Sequence, residues 1–278
     1  MAITTLDGLV NALANDCSWV VIDKASISNA VANTVYSLWR ATGQPGQGAI
    51  PTTAAICDKT LLGSMQWSNQ TSPRSSYWGW GVMQSANSAV TMEVHDRVAH
   101  RGGLVLNILT SQTVDLDLTS GGLNPPADRI GDANFSDIMW WLEVYTDGGG
   151  TASNATVNVT YNDGSSGNLT VFAVGGTLRA GRMIPLNGLI PAADSGKYIA
   201  DINTVILSAS TTVAGNFGFT ATRQRAPMPL NVANRPDSFD WAALGLPEIV
   251  NDSCLFLIQN AVTTTTGTVR GNLKIAHG

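Results

Sequence analysis

The sequence predicts a mostly β protein organised around an antiparallel β-sandwich of jelly-roll or Greek-key type. Three observations predict it. Period-two runs recur through residues 86–224. In N-A-T-V-N-V-T-Y (Asn154–Tyr161), Val157, Val159 and Tyr161 alternate with Thr156, Asn158 and Thr160; in T-V-D-L-D-L-T (113–119), Val114, Leu116 and Leu118 alternate with Asp115 and Asp117. Turn formers punctuate these runs at regular intervals: R-G-G (101–103), S-G-G (120–122), D-G-G-G (147–150), N-D-G (162–164) and G-G (175–176). Glutamate and lysine, the usual fillers of exposed helix faces, are confined to Glu93, Glu143 and Glu248 and to Lys24, Lys59, Lys197 and Lys274.

Residues 1–64 read as an N-terminal arm of short helices and extended chain. Thr5 caps a helix to about Asn15, with Leu6, Leu9, Val10 and Leu13 on one stripe. A second helical pattern covers about 28–42, with Val31, Val35, Leu38 and Trp39 on one side, before the loop G-Q-P-G-Q-G (43–48). Residues 65–224 form the sandwich domain. Its strands are expected near 76–84, 90–98, 103–110, 113–119, 137–146, 155–162, 167–174, 181–186, 198–209 and 216–224, with a hairpin from Tyr161 to Asn168. The long 123–137 connection, carrying Pro125-Pro126, suits a crossover between sheets. Residues 138–145 alternate with apolar groups on both faces: Ile138, Trp140, Leu142 and Val144 on one, Met139, Trp141 and Tyr145 on the other. Such a strand is either central and covered or lies at a subunit contact. Residues 225–278 form a C-terminal extension, with a helical turn at 240–244 and strands at 254–259 and 268–275 that complete a sheet or pair with a neighbour.

Composition narrows the functional classes. Charged residues are 13% of the chain, which suits a surface packed against other chains. A formal net charge of −5 disfavours duplex DNA as a direct partner. Residues 1–19 lack the basic start and apolar core of a signal peptide, and no apolar run reaches the roughly 18 residues of a membrane helix, so neither export nor a membrane is expected. Cys17, Cys57 and Cys254 are too scattered for a disulfide framework or a metal site and read as buried free thiols. With no export signal expected, the six Asn-x-Ser/Thr triplets read as by-products of a polar, Thr-rich composition.

No catalytic constellation, metal site or cofactor motif is legible. His95 and His100 are five apart, on opposite faces of a strand, and His277 falls in a solvated tail. Asp115 and Asp117 read as solvated carboxylates that guard an edge. Glu93 and Glu143 serve a hydrolase only if the fold sets them about 5–10 Å apart. The chief local feature is Y-W-G-W-G (77–81). Trp78 and Trp80 are expected to point the same way, and they serve a core, a subunit contact or a sugar platform. The residues expected at a protein interface are Leu9, Leu13, Trp39, Trp78, Trp80, Trp141 and Tyr145.

The order of arm, Gly/Thr/Asn-rich sandwich and strand-bearing tail resembles virion structural proteins of tailed bacteriophages. Two stretches carry the likeness, L-W-R-A-T-G-Q-P-G-Q-G-A-I-P (38–51) and N-L-K-I-A-H-G (272–278), which resemble segments of head-associated proteins. The resemblance implies a non-enzymatic capsid decoration or cement protein, assembled in a bacterial cytoplasm and resident in the virion. Its partners would be the major capsid protein and copies of itself, often as trimers. The alternatives are a tail, baseplate or fibre component binding host glycan through Trp78 and Trp80, and a β-sandwich hydrolase using Glu93 or Glu143.

Overall fold

The computed structural model describes residues 3–87, 90–176 and 178–278. Strands hold 43% of the residues and helices 9%, so the chain is mostly β, as its patterning requires. It divides into two compact units. One comprises residues 3–49, 58–96 and 224–278; the other comprises 50–57 and 97–223. The chain changes unit at 49–50, 57–58, 96–97 and 223–224, the last two points falling within the strands Val90–Leu104 and Asn216–Leu230.

This division differs from the expected arm, sandwich and extension at 1–64, 65–224 and 225–278. Residues 1 and 2 of the arm lie outside the described residues. Residues 50–57 of the expected arm belong to the second unit, and the rest of its described residues, with the whole expected extension, belong to the first. There the strand Cys17–Lys24 pairs along its full length with the terminal strand Val269–His277. The terminal strand pairs in turn with Ser76–Ser85, and Asp237–Asp240 and Glu248–Ile249 add to the far side. Val20, Ile22 and Leu38 from one end of the chain share a core with Leu255, Leu257, Leu273 and Ile275 from the other. Two apolar segments at opposite ends of the sequence cover each other, which a reading of each segment alone does not reveal.

The helix Leu6–Asn15 forms as expected: the Thr5 hydroxyl accepts from the Gly8 amide (3.1 Å), and Leu9 and Ala12 pack on Ala276. The second expected helix does not form. Asn29 and Asn33 adopt φ of 57° and 59°, a left-handed conformation that breaks a helix, and Thr34–Ser37 is a strand paired with Leu255–Ala261. The β-branched and aromatic T-V-Y at 34–36 favours that outcome. The glycine-rich loop that follows has a specific use. A Cβ on Gly48 or Gly63 would lie 2.1 or 2.5 Å from the Trp39 ring, so only glycine lets the chain close over both sides of the indole, whose Nε1 donates to the Ala49 carbonyl (2.9 Å).

The second unit is built of antiparallel strands, which do not establish the expected jelly-roll or Greek-key order. One antiparallel sheet runs Ser166–Asn168, Asn154–Tyr161, Ile199–Leu207, Gln112–Asp117. Met139–Thr146 pairs with Asn216–Leu230 on one side and Arg182–Pro185 on the other. Val114, Leu116, Val157, Val159, Ile202 and Val205 from the first set meet Trp140, Leu142, Val144, Phe217 and Phe219 from the second. The 123–137 segment connects strands of different sheets, as its prolines suggested. The doubly apolar strand is covered on both faces. Its second face holds Glu143 and Tyr145 against Arg97: Arg97 Nη2 lies 2.7 Å from Glu143 Oε2, both fully buried, and Arg97 also donates to Tyr145 Oη (2.7 Å), Thr220 Oγ1 (3.1 Å) and His100 Nδ1 (3.0 Å).

Candidate functional site

Strand alternation decides what the first unit shows to solvent. In C-S-W-V-V-I-D-K, Val20 and Ile22 turn into the core, and Trp19 and Val21 turn out, 56% and 57% exposed. The register then lines up a row across the sheet. Trp19 lies opposite Lys274, Lys274 opposite Trp80, and Trp80 opposite Asp240. Lys274 Nζ sits 4.7 Å from the centroid of the Trp19 ring, and Trp19 and Trp80 meet edge to face at 5.9 Å and 81°. Leu13 of the helix closes one end, giving a hollow of about 280 Å³ lined by Leu13, Trp19, Trp80 and Lys274.

On the other side of Trp19 lies a second hollow of about 250 Å³, bounded by Val21, Gln44, Pro45, Gly46, Leu62 and Gln66. Leu62 is 68% exposed, so apolar surface continues from Leu13 through Trp19 and Val21 to Leu62. The loop walling this hollow is held from beneath. Lys24 Nζ, buried, donates to the carbonyls of Ala41 (3.0 Å), Pro45 (2.7 Å) and Gly46 (3.3 Å). Burial pulls the Lys24 ammonium down to about 8, and the three carbonyls, which favour its charged form, work against that shift.

Of the seven residues expected at an interface, Leu13 and Trp80 reach this surface. The other five are interior to their own units. Leu9 packs on Ala276; Trp39 is enclosed by its glycines and Phe256; Trp78 is fully buried in the first core; Trp141 and Tyr145 fill the covered face of Met139–Thr146. Trp78 and Trp80 do not point the same way. The register shifts between Ile275, opposite Trp78, and Lys274, opposite Trp80, so Gly79 is an extra residue that reverses the alternation. A Cβ at Gly79 would lie 2.6 Å from Leu13 Cδ2, so a larger residue there would make the Leu13 side chain shift. The two-tryptophan sugar platform is therefore absent, and Trp80 pairs with Trp19 instead. Trp19, Val21, Leu62 and Lys274 escaped the sequence reading. The signal was present: 17–24 is apolar on both faces, as 138–145 is.

The ionisable groups singled out by sequence sit as follows. Glu143 is locked in the buried cluster, where it also accepts from Thr220 Oγ1 (2.5 Å), and burial pushes the Tyr145 phenol beside it up. Glu93 lies in the other unit and bonds buried His95 Nε2 at 2.8 Å, a contact that holds its carboxyl low. Asp115 is exposed as expected, and half-buried Asp117 ties to the amide (2.7 Å) and hydroxyl (3.0 Å) of Thr119; the neighbouring Asp201 carboxyl is pushed up to about 6 by burial and then by Asp117 and Asp115. His277 is not in a solvated tail. It is 5% exposed in the terminal strand, between Ser18 Oγ (2.7 Å from Nε2) and Ser76 Oγ (2.9 Å from Nδ1).

No family model matches the sequence, and no curated protein matches it. Among solved structures, the chain is similar to the VP2 subviral particle of infectious bursal disease virus, at 12% identity and a TM-score of 0.19, over 97% of this chain and 85% of that one. It is similar also to the T=1 particles derived from that virus (10% identity, TM-score 0.19, 97% and 82%) and to its T13 viral particle (9%, 0.19, 94% and 76%). The structural neighbours are thus viral capsid proteins at low similarity, and a TM-score of 0.19 carries neither fold nor role across to this chain.

Proposed function

We propose that this chain is a non-enzymatic structural protein of a virion, a decoration or cement protein that binds the major capsid lattice of a tailed bacteriophage in many copies. The observation that carries this reading is the outer face of the terminal-strand sheet. Trp19, Val21 and Leu62 are each more than half exposed and adjoin half-buried Leu13 and Trp80, with the Lys274 ammonium laid over the Trp19 ring. A soluble chain rarely leaves contiguous apolar surface of this kind bare, and Trp is a common anchor where subunits meet. Low overall charge fits the same role, since a cement protein bridges neighbours through large uncharged contacts and gains avidity from lattice repetition.

The glycan-binding alternative loses its platform, because Trp78 is inside the core and the face of Trp19 is already covered by Lys274. Mass spectrometry of purified particles tests the proposal. Hundreds of copies per particle are expected; a handful of copies would place the chain in the tail, and its absence from particles would end the virion reading.

A further inference from the structure

We propose that residues 17–22 form an open sheet edge that pairs, antiparallel, with the same edge of a second copy of this chain. One side of the strand Cys17–Lys24 is taken by Val269–His277. On the other side, Gly43–Gln44 covers Asp23 and Lys24 alone. The phase of the ladder shows which backbone groups are left. The His277 amide donates to the Asp16 carbonyl (2.9 Å), and the Ala25 amide donates to the Thr42 carbonyl (2.9 Å) on the opposite side. Even-numbered residues therefore face the terminal strand, and the amides and carbonyls of Cys17, Trp19 and Val21 point outward, with no strand beside them among the described residues.

Proteins normally guard such an edge with a lysine, a proline, a bulge or an inward charge. None is here. Residues 17–22 are Cys, Ser, Trp, Val, Val and Ile, uncharged throughout. The flanking carboxylates lie beyond the open stretch and are already matched, Asp16 by Arg74 and Asp23 by Arg270 (3.1 Å). The occupant follows from symmetry and charge. A two-fold axis at Trp19 sets Cys17 opposite Val21 of the second copy and forms about six hydrogen bonds. Asp16 then faces Ile22, and Asp23, already paired with Gln44, lies outside the seam, so no like charges oppose each other along it. Trp19 and Val21 of both copies join one apolar row across the seam. The edge is about 20 Å long, shorter than a standard interface, so the pair is weak alone, on the order of 100 µM, and gains from repetition in an assembly. The inference rests on the sheet and not on the capsid reading, and the two fail separately.

Sedimentation velocity of the purified chain tests it, read from about 5 µM to 1 mM. The wild-type mass is expected to rise from 29.2 kDa toward twice that value. Val21→Pro removes one outward amide while leaving the ladder to the terminal strand intact, and should weaken self-association roughly tenfold or more. Val21→Lys, which keeps the amide and adds a guarding charge, should do the same and serves if the proline variant melts early. A wild-type chain that stays monomeric across the range overturns the proposal, as does a dimer that neither variant weakens. So does a monomer whose capsid binding is lost on Val21→Pro, because the edge then accepts a strand from a different protein.

Discussion

Trp19→Ala separates a surface built for contact from one that is merely apolar. A tryptophan side chain presents roughly 250 Å², and Trp19 is 56% exposed, so about 140 Å² is available to a partner. At about 25 cal/mol per Å² its burial is worth at most about 3.5 kcal/mol, and the costs of association reduce the observable loss to about 1.5–2.5 kcal/mol, roughly ten- to sixty-fold in affinity. The same substitution touches folding lightly. The edge-to-face contact with Trp80 and the Lys274 contact at 4.7 Å are together worth about 1–2 kcal/mol, a few degrees of melting temperature. Trp78→Ala is the counterpart: it empties a fully buried site and should cost about 3–5 kcal/mol of stability. The assay adds each variant to capsids assembled without this chain, pellets them, and quantifies the bound fraction against concentration, with melting followed in parallel. Trp19→Ala binding within twofold of wild type would refute the assignment of this face.

Two further outcomes follow from buried charge. Glu143→Gln leaves Arg97 without its carboxylate at a site where both side chains are fully buried, and should lower stability by about 3–5 kcal/mol in urea unfolding; Arg97→Met combined with Glu143→Leu should recover much of that loss, and a single variant within 1 kcal/mol of wild type would contradict the pairing. Lys24 gives a pH dependence. Its folded value of about 8 lies below the ordinary 10.5, so between those values the unfolded chain holds the extra proton and stability rises with pH, by at most about 3 kcal/mol; Lys24→Met should flatten the rise, and equal slopes in the two proteins from pH 7 to 10.5 would count against the burial.

Period-two patterning located most strands, because alternation is a local consequence of one buried face. Asn154–Tyr161 and Met139–Thr146 are within two residues of their expected limits, and the Thr5 cap and the turn after Asp240 appear where their side chains predicted. The errors came where the deciding contact is remote. The 28–42 stripe at Val31, Val35, Leu38 and Trp39 fits a helix by spacing, but Asn29 and Asn33 take positive φ, and the strand Leu255–Ala261, far along the chain, supplies the pairing. Trp78 and Trp80 were assigned one direction by strict alternation, and a single glycine bulge reversed it. Residues 1–64 read as an arm because the cover for 17–24, the terminal strand, lies at the other end of the chain.

That last correction changes how a chain with the proposed role would reach its neighbours. Segments that order on contact gain buried area by extending; here both ends are woven into one sheet, so contact has to come from what the finished sheet leaves uncovered. The first strand leaves two such surfaces at once. Trp19 and Val21 offer apolar side chains on the face, and their own amides and carbonyls offer directional bonds along the edge. The face contributes area with little geometric demand, whereas the edge accepts only an extended strand in one of two phases. A surface that combines them can tolerate some variation in what it lies against while fixing the orientation of the next copy. The proposed decoration role, with many equivalent positions on a repeating shell, would draw on both properties together.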